Sequence, residues 1–190
     1  MNFKHIFSTM ALAAAAAGLP LSASAQAYVG AGLGSSDARD FCRDLTDCDK
    51  SGSTWRVFGG WRFSRHLAAE LAYVDLGRFT HNIAGTRTRV EADGPEATLL
   101  AIYQASQVSI FGKVGAYYAN TKAAVEGATS TSTKEKNGGL TYGLGLQYDF
   151  TGGLGARLEW QHYAKVGDTN TTGSGLDINA FTLSVLYRFR

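Results

Sequence analysis

The residue types that most often carry chemistry are few and scattered in this chain of 190 residues. His66, His81 and His162 stand far apart, at separations that match no metal-ligand spacing. Gly30-Ala31-Gly32-Leu33-Gly34 lacks the spacing and the following helix of a dinucleotide fingerprint, and reads as small residues packed within a strand. No catalytic, cofactor or metal constellation is expected from these residues. Cys42 and Cys48, the only 2 cysteines, lie in one polar stretch. In an exported chain such a pair is expected to join as a disulfide, stiffening its short loop more than it stabilises the fold. What remains is charge: Arg56, Glu70, Lys113, Arg157 and Glu159 each sit on the polar side of a run whose alternate residues are apolar. What they do depends on the elements that carry them.

The clearest of those elements is Leu140 to Phe150. Leu140, Tyr142, Leu144, Leu146, Tyr148 and Phe150 are apolar, and the residues between them are small or polar. A period of two gives a strand with one apolar face. At about 3.3 Å per residue the run is roughly 36 Å long, and a tilt of about 45° leaves a height of roughly 25 Å, that of the apolar band of an outer membrane barrel. Its aromatics fall near the ends, where interfacial girdles belong. A strand of a soluble sandwich is usually only about 5 or 6 residues long.

The chain opens differently. Lys4 and His5 precede an alanine-rich apolar core from Ile6 to about Leu21, and Ala23-Ser24-Ala25 offers small residues at a cleavage spacing. This predicts a secretory signal peptide over residues 1–25 and one domain over 26–190. Gly18 and Pro20 interrupt the apolar run and argue against a membrane-anchoring helix. Net charge is +2 for the whole chain and one unit less without Lys4, a balance that does not suggest nucleic-acid binding. With 23 glycines and 2 prolines, the composition suits long strands in close contact. After the leader no apolar run reaches the roughly 18 residues of a transmembrane helix, so membrane insertion would require a closed barrel.

Strand candidates recur along residues 26–190 with alternating short and long connections. Trp55, Val57, Trp61 and Phe63 share a register, as do Leu67, Ala69, Leu71 and Tyr73, then Val108, Ile110, Val114 and Tyr118, then Leu154, Ala156, Leu158 and Trp160. Phe181, Leu183, Val185, Tyr187 and Phe189 form the closing strand. The segment ending near Tyr103 is ambiguous, since Leu99, Leu100 and Ile102 are all apolar, and Thr121 to Asn137 reads as a long solvated loop. The count is eight strands. Short connections follow the second, fourth and sixth, which predicts an all-β, eight-stranded antiparallel transmembrane β-barrel with both termini on the periplasmic side. A soluble eight-stranded barrel such as a lipocalin would carry its apolar faces inward. Periodicity does not tell inside from outside; the leader, the aromatic ends and the aromatic closing strand favour the membrane.

The last third resembles the end of the OmpA transmembrane domain family, in Ala156-Arg157-Leu158-Glu159-Trp160-Gln161, in Val166-Gly167-Asp168 and in Leu183 to Phe189 with its Tyr187-Arg188-Phe189 end. Glu70-Leu71-Ala72-Tyr73 with Leu76-Gly77-Arg78 is similar to the family's third strand. OmpX-like and opacity-type barrels share the architecture. The resemblance implies an outer membrane protein with a structural, membrane-integrity or surface role, in contact with outer membrane lipids and lipopolysaccharide. It also implies insertion by the barrel assembly machinery, with Phe181 to Phe189 as the assembly strand. It places Glu70 and Arg157 on the family's lumenal acid and arginine positions, with Arg56, Lys113 and Glu159 in the same inward registers, as a charged network that plugs the lumen. Two positions of the family's cluster depart: Gln147 stands for an acid and Leu99 for a lysine. The family's peptidoglycan-binding domain has no counterpart before Arg190, so a cell-wall tether is not expected. Alternatives are an adhesin binding host ligands through its outer loops, a small-solute pore, and a lipid A-modifying enzyme. Against the last, the deacylase His-x-Ser pattern is missing, with Ala68, Ile83 and Ala164 two places after His66, His81 and His162.

Overall fold

The computed structural model describes residues 26–38, 48–49, 51–83, 86–126, 131–166 and 176–189. Residues 1–25, where a signal peptide is expected, and Cys42 lie outside the described residues. Eight long strands follow in order: β1 Gln26–Ala38, β2 Ser51–Arg62, β3 Leu67–Ile83, β4 Thr86–Ala105, β5 Val108–Glu126, β6 Thr131–Asp149, β7 Leu154–Val166 and β8 Leu176–Arg188. Each pairs antiparallel with its chain neighbours, and β8 pairs with β1 from Tyr28↔Arg188 to Ala38↔Ile178, so the sheet closes on itself. The Phe189 amide also donates to the Ala27 carbonyl at 2.9 Å. Closure leaves every strand of the barrel wall with two neighbours and removes the edge that an open sheet would expose.

Inward and outward residues alternate along every strand, and the polar ones face in. On β6, Leu140 is 68% exposed and Thr141 0%. Leu71, Leu99, Val114, Leu158, Leu183 and Val185 are likewise exposed, whereas Arg56, Glu70, Lys113, Arg157 and Glu159 are buried. This is the reverse of a soluble barrel, and a continuous apolar outer band of this extent calls for lipid. Phe63, Tyr103, Tyr148, Phe150, Tyr187 and Phe189 ring the end with the short turns, and Trp55, Tyr73, Tyr118 and Tyr142 lie toward the other end.

Three short turns join β2–β3, β4–β5 and β6–β7 at one end, the same end as Gln26 and Phe189. At the other end the strands run further than their composition suggests. Arg78–Ile83 pairs with Thr86–Glu91, and β5 continues to Glu126 opposite β6 from Thr131. The expected solvated loop over Thr121 to Asn137 is thus largely paired hairpin. Polar side chains are no obstacle to such a ladder, because the antiparallel hydrogen bonds are made by the backbone. One irregularity on the third strand has a local cause: Gly77 has φ +91°, and its amide donates to Asp75 Oδ1 at 2.7 Å where the β3–β4 register shifts between Asp75 and Arg78. A side chain there would be strained.

The register of β4 follows from its pairing. Leu100, Thr98 and Glu96 face in, Leu99 and Tyr103 face out, and the pairing with β5 lapses at Gly94 and Pro95, between Asp93↔Asn120 and Glu96↔Tyr117. Pro95 has no N–H to donate, and it sits where this ladder does not need one.

Candidate functional site

The barrel axis carries three layers of side chains. The middle one is ionic. β2 supplies Arg56, β3 Glu70, β4 Glu96, β5 Lys113 and β7 both Arg157 and Glu159, three carboxylates against three cations. Arg56 pairs with Glu159, with Glu70 at 2.9 Å and with Glu96 at 3.4 Å. Lys113 Nζ lies 3.1 Å from both Glu96 and Glu159 and 3.6 Å from Glu70. Arg157 Nη1 reaches Glu70 Oε2 across the barrel at 2.6 Å, with Glu159 at 3.9 Å. Every charge has at least two opposite neighbours, which is what allows six ionised groups to lie together away from bulk water.

Neutral groups complete the layer. Gln147 Oε1 accepts from Arg157 Nε at 3.1 Å and from Nη2 at 2.9 Å, so the guanidinium keeps a two-pronged partner although Gln147 carries no charge. Tyr28 donates to Glu70 at 3.1 Å and Tyr163 to Glu96 at 2.8 Å. Gln161 Nε2 donates to Glu96 and to Thr141 Oγ1, each at 2.7 Å.

Beneath, toward the short turns, lies an aromatic layer of Tyr28, Phe58 and Phe111. The Arg157 guanidinium stands 4.9 Å from the Phe58 ring centre and 4.8 Å from that of Phe111, within cation–π range. These rings fit because the facing residues are glycines: a β-carbon at Gly60 would fall on the Tyr28 ring, one at Gly30 on Phe58 and one at Gly145 on Phe111. Above the ions, Val74, Leu76, Tyr117, Tyr163, Val166 and Ile178 form an apolar layer. Tyr117 and Tyr163 meet edge to face there at 5.4 Å. A cavity of about 10 Å³ lies on each side of the ionic layer, each near the size of one water.

All five charged residues singled out in the sequence, Arg56, Glu70, Lys113, Arg157 and Glu159, stand in this one cluster. Glu96 was missed, because the β4 register was open. Counting back by twos from Leu100 through Thr98 reaches it. Leu99 does not belong to the lumen: it is 61% exposed on the outer face, its inward neighbours are Thr98 and Leu100, and the cluster's lysine comes from β5 as Lys113. Phe181, Leu183, Val185, Tyr187 and Phe189 all face outward on or just beyond β8. The strand residues Cys48 and Asp49 pair with His81 and Thr80 of β3, but Cys42 falls outside the described residues. Among those residues no group of three His, Cys, Asp or Glu side chains is arranged to hold a metal ion.

Comparison with known proteins agrees with this geometry. The model of the OmpA-like transmembrane domain matches residues 22–190. Outer membrane protein A of Salmonella typhi is 28% identical over 167 residues, which cover 85% of this chain and 48% of that protein. The protein of the same name from Serratia marcescens is 28% identical over 138 residues, 70% of this chain and 38% of its own length. The chain thus spans about half or less of the length of these relatives. Among solved structures, OprG from Pseudomonas aeruginosa superposes with a TM-score of 0.61 at 10% identity, covering 88% of this chain and 97% of OprG. Ail, the attachment invasion locus protein of Yersinia pestis, solved with the heparin analogue sucrose octasulfate, gives 0.60 at 15% identity, covering 87% of this chain and 99% of Ail. At those identities the likeness is one of fold.

Proposed function

Because the chain belongs to the OmpA-like transmembrane domain family and is an outer membrane β-barrel, we propose that it serves the envelope as a closed structural barrel, its lumen plugged by the Arg56–Glu70–Glu96–Lys113–Arg157–Glu159 cluster. The observation that carries this reading is the balance of three cations and three carboxylates across the full width of the lumen, with only water-sized cavities on either side. An eight-stranded barrel is narrow enough for its own side chains to fill it, and a hydrogen-bonded ionic layer between two ring-rich layers leaves no continuous water path. The outer face would be covered by lipid and lipopolysaccharide, and the work of the protein would be mechanical and architectural. Single-barrel recordings in planar bilayers test the closed lumen. Refolded residues 26–190 should give no sustained ion current; a steady open level in the unmodified protein would overturn the reading. The envelope role is tested by a deletion strain, which should gain sensitivity to detergent and regain resistance with the plasmid-borne gene. Unchanged detergent tolerance after deletion would speak against it.

One observation supports a second reading, a surface adhesin. The β3–β4 and β5–β6 hairpins continue as paired strands beyond the aromatic residues Tyr73 and Tyr118, and so present ordered backbone outside the apolar band. Ail, with the same fold, was solved with a heparin analogue. Cells displaying intact and hairpin-shortened protein at equal levels separate the readings: shortening should abolish attachment to host cells or matrix if the hairpins bind, and leave it unchanged if they do not.

A further inference from the structure

Below the aromatic layer, at the short-turn end, the charge balance fails. Arg62 ends β2 and Arg188 ends β8, and the carboxylate beside them among the described residues is Asp149, which holds Arg188 through both oxygens at 3.0 Å. Arg62 is 7% exposed and donates only to neutral acceptors, Gln104 Oε1 at 3.0 Å and the Arg65 carbonyl at 2.9 Å. Two cations thus share the one carboxylate of Asp149, an excess of one positive charge that is costly unless a counter-charge comes from elsewhere.

Three buried polar groups around one cavity lack a partner. Arg62 Nε, Arg188 Nε and Ser109 Oγ have no hydrogen-bond partner among the described residues, and all three residues line the lower cavity. Two are obligate donors and the third can donate, so what they lack is an acceptor. Gln147, also on the cavity wall, has its carbonyl oxygen committed to Arg157 and its amide to Asp149 at 2.7 Å. The cavity is about 10 Å³, room for one water-sized particle and too little for a polyatomic anion. The upper cavity provides the contrast: it has the same volume, but Asp93 and Glu96 are on its wall and it has no cation there.

We propose that this vestibule is a binding site for one small inorganic anion, a halide, held by Arg62, Arg188 and Ser109. A halide supplies both missing elements at once, a negative charge beside Arg62 and a spherical acceptor that three donors can share. It binds from the periplasmic mouth and leaves the ionic plug above it untouched.

The test is chloride binding to the refolded barrel in detergent micelles, read as the line width of the ³⁵Cl resonance while chloride replaces methanesulfonate at constant ionic strength. The unmodified protein should give saturable broadening beyond that of micelles alone, and bromide should reverse it by displacement. Arg62→Gln removes the excess positive charge and Gln147→Glu supplies an internal carboxylate at the cavity wall; each should abolish the saturable part. Broadening no greater than that of empty micelles would overturn the proposal and leave the three groups to water alone. Saturable broadening that persists in both variants would place the halide elsewhere and overturn it equally. If either variant fails to refold, the chloride-against-methanesulfonate titration of the unmodified protein still decides whether a site exists. The remaining variant then decides whether it is this one; should neither refold, Ser109→Ala takes their place and should weaken the saturable part.

Discussion

Glu70 is the residue on which the plug is best tested. It accepts from Arg56 on the adjacent strand, from Arg157 on the far side of the lumen and from Tyr28, so its loss leaves one cation in excess and takes from Arg157 its nearest carboxylate. Removing one member of a buried pair can cost about 3–5 kcal/mol, but Glu96 and Glu159 remain to share the charge, and about 1–3 kcal/mol is expected for Glu70→Ala or Arg157→Ala. The double substitution should cost less than the sum of the singles, measured by reversible urea unfolding in lipid vesicles. Strict additivity would show that the two do not interact. The glycines under the plug make a separate prediction. Gly60→Ala places a β-carbon on the Tyr28 ring and should cost about 1–3 kcal/mol through overpacking in the same assay; a neutral result would mean that the aromatic layer is loosely held. Cys42 and Cys48 are expected to be bridged in protein recovered from the envelope. Thiol labelling of the denatured, unreduced chain should find none reactive, and two reactive thiols would refute the bridge.

At the scale of the element, a strand here has two faces with opposite tolerances. Leu144, in the middle of the apolar run Leu140–Phe150, is 60% exposed on the outer side, while Gly143 and Gly145 beside it turn inward. Leu144→Arg should destabilise the folded barrel in bilayers by about 2–4 kcal/mol, the cost of a cation near the midplane on the lipid face. The same assay should find Leu144→Ile nearly neutral; equal effects of the two would contradict lipid contact at this position. The closing strand β8 joins both neighbours, pairing with β1 and β7 along its length. Removing the stretch from Phe181 to Phe189 would therefore take away the strand that closes the ring. Truncation before Phe181 should leave the chain as unfolded periplasmic material, detected as loss of the folded, heat-sensitive band on a gel.

For the molecule as a whole, closure sets the expected behaviour in solution. Each strand of the wall hydrogen-bonds on both sides, so the barrel should resist unfolding in detergent and migrate anomalously on an unheated denaturing gel, with strand-rich circular dichroism. Stable monomers without detergent would exclude the lipid-facing assignment.

Alternation was enough to make Leu140–Phe150 a two-faced strand, because a period of two is a local property of the chain, and together with the polar composition of the connections it sufficed to count eight strands and to tell short turns from long ones. It also put Arg56, Glu70, Lys113, Arg157 and Glu159 on polar faces. What it left open is which face meets the core. That is decided by closure: the interior admits only as much side-chain volume as eight strands enclose, and glycines at 30, 60 and 145 show the space being divided with Tyr28, Phe58 and Phe111. The β4 register, and with it Glu96, depended on pairing with strands already in place, since Leu99 and Leu100 are equally apolar. The pairing of Glu70 with Arg157, 87 residues apart, and the excess of Arg62 and Arg188 over Asp149 arise only where distant strands meet. Such contacts are set by where the ring of strands closes, and no local pattern in the chain records that.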